Sequence, residues 1–94
     1  MKSEPLVSVI VPIFNGEDYI EETIKSVILQ TYSNWELIIV NNGSRDQSLK
    51  IINKLALTDN RIQVINLETN SGGPADPRNI GIKNNSGEYI CICD

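Results

Sequence analysis

Two stretches of this chain are almost wholly apolar and rich in β-branched residues: Val7-Ser8-Val9-Ile10-Val11-Pro12-Ile13 and Leu37-Ile38-Ile39-Val40. A strand with one wet face alternates polar and apolar residues, whereas a continuous apolar run suits a strand covered on both faces by helices. Segments of helical period separate these runs. The alternation predicts an α/β chain, a three-layer α/β/α arrangement around a mainly parallel four-stranded sheet in the order βαβαβαβ. At 94 residues there is room for one small domain. No repeat, low-complexity tract or linker divides it.

The first strand is expected over residues 6–13. Asn15 is placed to cap a helix whose opening turn is acidic (Glu17, Asp18, Glu21, Glu22) and whose stripe Ile20, Ile24, Val27 and Ile28 can lie on the sheet. A second strand over 36–40 is expected to break at Asn41-Asn42-Gly43. Ser44 and Gln47 have the spacing of a capping box, with Leu49, Ile52, Leu55 and Ala56 as the buried side of the next helix. Residues 62–67 read as a weaker third strand at the sheet edge. Pro77 fits the first turn of a short third helix with Asp76 as its cap, because the missing N–H costs nothing there. A fourth strand, residues 88–93, stops at Asp94. Its Cys91 and Cys93 share one side and are expected to be buried small hydrophobes. Residue type favours packing for Phe14, Tyr19 and Trp35.

Composition removes several function classes. The net charge is −4, from 8 basic and 12 acidic residues, and no basic run occurs, so a nucleic-acid partner is not expected. The absence of histidine excludes Ser-His-Asp and Cys-His catalysis within these residues, and any histidine-containing zinc site. The opening residues are polar, and no apolar run approaches membrane-spanning length, so the expected location is cytoplasmic. The sequons at Asn42 and Asn84 are then ordinary turn chemistry.

In open α/β sheets ligands sit beyond the carboxyl ends of the strands, where the strand order reverses. The sequence places Pro12, Phe14 and Asn15 there after strand one, and Asn41, Asn42, Gly43, Ser44 and Asp46 after strand two. Arg78 and Asn79 lie at the third helix start, and Asp94 follows strand four. Neither G-x-G-x-x-G nor G-x-x-x-x-G-K-[ST] is present, so the usual phosphate cradles are missing. A divalent cation on a strand-end carboxylate, helped by an arginine, could neutralise a diphosphate instead, and Asp94 is the carboxylate so placed. Asp46 suits a helix cap, a ligand contact, or both; Arg78 suits a surface ion pair or a phosphate contact.

The blocks Val7 to Asn15, Ser26 with Gln30-Thr31-Tyr32, Trp35 to Val40, and Asn42-Gly43-Ser44-Arg45-Asp46 occur in order. Gly72-Gly73-Pro74-Ala75, Arg78-Asn79-Ile80-Gly81-Ile82, Ser86-Gly87-Glu88-Tyr89-Ile90 and Asp94 follow them. Taken together, this succession resembles the family 2 nucleotide-diphospho-sugar glycosyltransferases, inverting enzymes with the GT-A fold, from Val7 to Asp94. The resemblance implies that base and ribose lie along the end of the first strand, at Pro12, Phe14 and Asn15. It also implies that Asp46 and Arg78 line the nucleotide and diphosphate. The family usually has aspartate where Asn42 stands, accepting the uracil imide hydrogen; an asparagine accepts through its amide oxygen and adds a donor. A UDP-sugar is the leading donor implied.

Asp94 matches the first aspartate of the family's D-x-D-D run, which touches ribose and holds a divalent cation, Mn2+ or Mg2+. The family's acceptor-binding half and general base have no match in these residues. The resemblance therefore implies that residues 1–94 are the N-terminal nucleotide-sugar-binding part of a glycosyltransferase domain, binding nucleotide at most when alone. The parent enzyme would transfer a sugar with inversion to a saccharide or lipid-linked hydroxyl in cell-envelope polysaccharide synthesis, in the cytoplasm or peripherally at the inner membrane face. The alternative is a non-catalytic nucleotide-binding or scaffolding module. An exposed edge at strand four would also permit self-association.

Overall fold

The computed structural model describes residues 5–30, 32–67, 77–83 and 87–93. Its elements run β1 (Val7–Ile13), α1 (Ile20–Leu29), β2 (Trp35–Asn42), α2 (Ser48–Ala56), β3 (Ile62–Leu67), α3 (Pro77–Lys83) and β4 (Tyr89–Ile92). The strands form one sheet in the order β3-β2-β1-β4, with every neighbouring pair parallel. The expected βαβαβαβ succession and the edge position of β3 are therefore both present. Because all four strands run the same way, their carboxyl ends share one edge. The order reverses between β1 and β4, which is where such sheets open a crevice.

Strand alternation divides the apolar residues between two layers. Val9, Val11 and Ile13 of β1 and Trp35, Leu37 and Ile39 of β2 pack with Ile20 and Ile24 of α1 and Ile52 of α2. On the opposite face Ile10, Ile38 and Val40 pack against Ile80 and Ile82 of α3. Both central strands are thus covered twice, which is the physical reason for their unbroken apolar runs. Helix α3 can lie this close because residue 81 is glycine. A Cβ there would stand 2.5 Å from Ile10 Cγ2.

The far end of the sheet is closed by polar contacts. The Ser8 hydroxyl, wholly buried, donates to Glu36 Oε2 at 2.5 Å and accepts the Gly87 N–H at 3.0 Å, tying the approach to β4 onto β1 and β2. Arg61 lies 3.8 Å over the Trp35 ring, grips Asp59 through Nε (3.0 Å) and Nη2 (2.7 Å), and donates from Nη1 to the Ser33 carbonyl. Trp35 is core, as expected.

Several boundaries differ from the sequence reading. Helix α1 begins at Ile20, not after Asn15: the Gly16 carbonyl accepts the N–H groups of Tyr19 and Ile20, forming a turn that takes up Glu17 and Asp18. Strand β2 continues through Asn41 and Asn42 because both keep their ladder partners in β3, Asn66 and Leu67. The Asn41 amide also donates to Asn66 Oδ1 at 2.9 Å. The Ser44 capping box does not form; α2 starts at Ser48, and Ser44 faces another loop. Pro77 opens α3 as expected, while Asp76 lies outside the described residues. Phe14 and Tyr19 are exposed, unlike Trp35. Cys91 and Cys93 are exposed, contrary to the expected burial, because α1 lies over β1 and no described helix covers β4 on that side.

Candidate functional site

Two loops meet at the carboxyl edge of the central strands. The first follows β1 and turns at Asn15, whose φ of 53° places it in the left-handed region that asparagine tolerates better than most residues. The second follows β2, turns at Gly43 with φ 72°, and leads into α2. They are joined side chain to backbone. The N–H of Asn15 donates to Ser44 Oγ at 2.9 Å, that of Gly16 to Ser48 Oγ at 2.7 Å, and that of Glu17 to Asp46 Oδ2 at 3.1 Å. In return the Arg45 N–H donates to Asn15 Oδ1 at 2.9 Å.

Asp46 also accepts the Ser48 N–H through Oδ1 at 2.9 Å, a turn that starts α2. Desolvation disfavours the charged carboxylate, but hydrogen bonds from the Ser48 hydroxyl and from the backbone of Ser48 and Glu17 outweigh it. The pKa of Asp46 therefore lies below the ordinary aspartate value. The carboxylate is ionised at neutral pH and each oxygen already accepts an N–H.

Of the residues expected at the site, Asn15 and Asp46 are brought together by these loops. Pro12 and Asn42 lie on the other side of the sheet edge. Each is two residues past a side chain packed against α3, Pro12 after Ile10 and Asn42 after Val40. Asn42 is 9% exposed at the very end of β2, and Pro12 is half-buried. Phe14 is 49% exposed just beyond β1, so its ring is available to a ligand. Arg78 is the second residue of α3, on the same face as Pro12 and Asn42, but its side chain lies outside the described part. Asp94 lies outside the described residues altogether.

The sequence places Ser44 at this edge without its partner, and Ser48 and Gly16 are not singled out by it as parts of this junction. Serines flank Asp46 at −2 and +2, which is a signal, but Ser44 has helix-cap spacing and its long-range partner at residues 15–17 is invisible in the sequence. Among the described residues no group of three or more His, Cys, Asp or Glu is arranged to hold a metal ion. A cavity of about 370 Å³ lies between α1 and β4, lined by Val9, Val27, Tyr32, Cys91 and Cys93 among others. It runs along the face of the sheet and not at the polar edge, so it is not the candidate site.

This edge brings together an exposed ring at Phe14, the polar loops after β1 and β2, and helix α3 over the face that carries Pro12 and Asn42. Known proteins are similar to this chain in sequence and fold. The profile described as Glycosyl transferase family 2 matches residues 8–94. Glycosyltransferase GlyG of Streptococcus pneumoniae is 44% identical over 89 residues, which cover 95% of this chain and 29% of that protein. The crystal structure of Staphylococcus aureus TarS 1–349 in complex with UDP-GlcNAc superposes with a TM-score of 0.84 at 40% identity. It covers 94% of this chain and 26% of that one. A mannosyltransferase from Pyrobaculum calidifontis in complex with GDP-Man and Mn2+ gives a TM-score of 0.82 at 27% identity, covering 94% and 26%. The chain thus spans less than a third of the length of these three relatives. With the family profile matching residues 8–94 and these relatives similar over nearly all of it, the chain belongs to glycosyltransferase family 2 and has the α/β architecture of the GT-A enzymes.

Proposed function

We propose that this chain is the N-terminal, nucleotide-sugar-binding part of an inverting glycosyltransferase, with a uridine diphosphate-sugar as donor. The observation that carries this reading is the likeness to TarS in complex with UDP-GlcNAc, at 40% identity over 94% of the chain. In this reading the base lies beside Phe14 and Pro12, with the Asn42 amide oxygen accepting the uracil imide hydrogen, and Arg78 approaches the diphosphate from α3. A divalent cation at Asp94 is part of the proposal, and the Mn2+ in the archaeal mannosyltransferase supports it.

The acceptor is proposed to be a saccharide or lipid-linked hydroxyl. The poly(ribitol-phosphate) substrate in the name of TarS supports a cell-envelope setting. The general base that takes the acceptor proton would come from sequence other than these residues. None of the described helices is long and apolar enough to cross a membrane, and a cytoplasmic or peripheral location is part of the proposal.

The test is an amide chemical-shift titration with uridine diphosphate. The reading expects saturable shifts at Phe14, Asn15 and Asn42 and along α3, with Val7 and Ile62 at the opposite sheet edge unmoved. Shifts confined to the cavity beside Cys91, or none, would contradict it.

A further inference from the structure

The consecutive N–H groups of Asn15, Gly16 and Glu17 all leave the β1–α1 turn in the direction of the β2–α2 loop. Successive N–H groups around a left-handed residue form a concavity that binds anions. In this chain the concavity is filled from within. Two hydroxyl oxygens, Ser44 Oγ and Ser48 Oγ, and one carboxylate oxygen of Asp46 occupy the positions an anion would take. The second Asp46 oxygen is held by the Ser48 N–H, while the Ser48 hydroxyl accepts from Gly16. Ser48 is wholly buried, and Gly16 is buried beneath the Tyr19 ring, whose Cε1 would stand 2.9 Å from a Cβ added at Gly16.

We infer that Ser48 and Asp46 are positioning residues: they fill the anion-binding turn at residues 15–17 and so hold Phe14 and Asn15 in the geometry that receives a nucleoside diphosphate. The diphosphate is not bound by that turn. This inference rests on the nucleotide-binding reading above and reassigns Asp46 within it, from a group touching the ligand to one acting through the turn.

The chemistry separates the two roles. A ligand-contacting Asp46 would affect affinity through its own charge, and Ser48, buried beneath the loop, would be indifferent to ligand. A positioning pair makes the two residues equivalent. Ser48→Ala removes the acceptor for the buried Gly16 N–H, and Asp46→Asn replaces one acceptor oxygen by a donor that faces an N–H. Ser48→Thr keeps the hydroxyl and should restore the contact.

The experiment measures uridine diphosphate affinity by titration, and amide hydrogen exchange, in the wild-type chain and in Ser48→Ala, Ser48→Thr and Asp46→Asn. The expected result is a loss of about tenfold or more in affinity for Ser48→Ala and Asp46→Asn, with recovery in Ser48→Thr. Protection should be lost at residues 15–17 in the first two variants, while Leu37 and Ile39 in β2 stay protected, which excludes simple unfolding. Unchanged affinity in Ser48→Ala with lost protection at 15–17 would overturn the inference, as would unchanged protection. Should the wild-type chain fail to bind, the nucleotide reading itself falls for this chain. The exchange data then still decide whether Ser48 and Asp46 hold the turn.

Discussion

Asn15 and Arg45, thirty residues apart, are tied by the Arg45 N–H donating to Asn15 Oδ1 at 2.9 Å, in a residue whose φ is 53°. Two properties of asparagine are in use at once: its tolerance of the left-handed region and its side-chain acceptor. Asn15→Gly keeps the first and loses the second, whereas Asn15→Ala loses both. The expected destabilisation is about 1 kcal/mol for glycine and about 2 kcal/mol for alanine, read from urea unfolding. Equal losses would mean that the backbone conformation carries no cost.

Gly81 brings α3 onto β1, where Ile10 is wholly buried. In an exposed helix, alanine for glycine would stabilise by up to about 1 kcal/mol. Here the methyl group meets Ile10 Cγ2, and overpacking of about 1–3 kcal/mol should win. Gly81→Ala is therefore expected to lower the unfolding midpoint. A raised midpoint would show that α3 rests farther from the sheet.

Asp59 is held by the Arg61 fork, whose side-chain hydrogen bonds lower its pKa against partial desolvation and with help from the Arg61 N–H. A carboxylate whose folded pKa lies below its unfolded value, about 3.9, stabilises the fold fully above that pH. The contribution is lost as the pH falls through the folded value. Asp46 follows the same sign. Urea midpoints measured from pH 7 to pH 2 should fall more steeply below about pH 4 for the wild-type chain than for Asp59→Asn. Parallel curves would remove the pair from the acid response.

Among the described residues β4 is an edge strand, with Tyr89, Ile90 and Ile92 exposed. Unpaired edges with apolar side chains pair with other edges unless charge prevents it. This chain is expected to associate with rising concentration in light scattering, and Ile90→Lys to reduce that association. A monomer at all concentrations, before and after the substitution, would refute edge pairing.

Much of this architecture is legible in the sequence because the determinants are local. The unbroken runs at Val9 to Ile13 and Leu37 to Val40 report burial on both faces, and Pro77 marks a helix start by its missing N–H. What escapes is decided by contacts distant in sequence. Asn41 and Asn42 look like strand breakers, yet ladder partners in β3 hold them in β2. Ser44 and Gln47 have capping-box spacing, but Ser44 is taken by Asn15 and Asp46 starts the helix instead. Cys91 and Cys93 look like core residues, and their burial depends on a covering layer that the described helices do not supply. At the site, Asn15 and Asp46 are legible as polar loop residues, whereas their mutual arrangement requires the fold.

The most direct measurement of the central claim is a calorimetric titration of this chain with uridine diphosphate, beside guanosine diphosphate and with and without Mn2+. The account predicts saturable binding that favours uridine, weakened by Arg78→Ala. Binding that does not distinguish the two bases, or no binding at all, would contradict the claim that these residues build the nucleotide site.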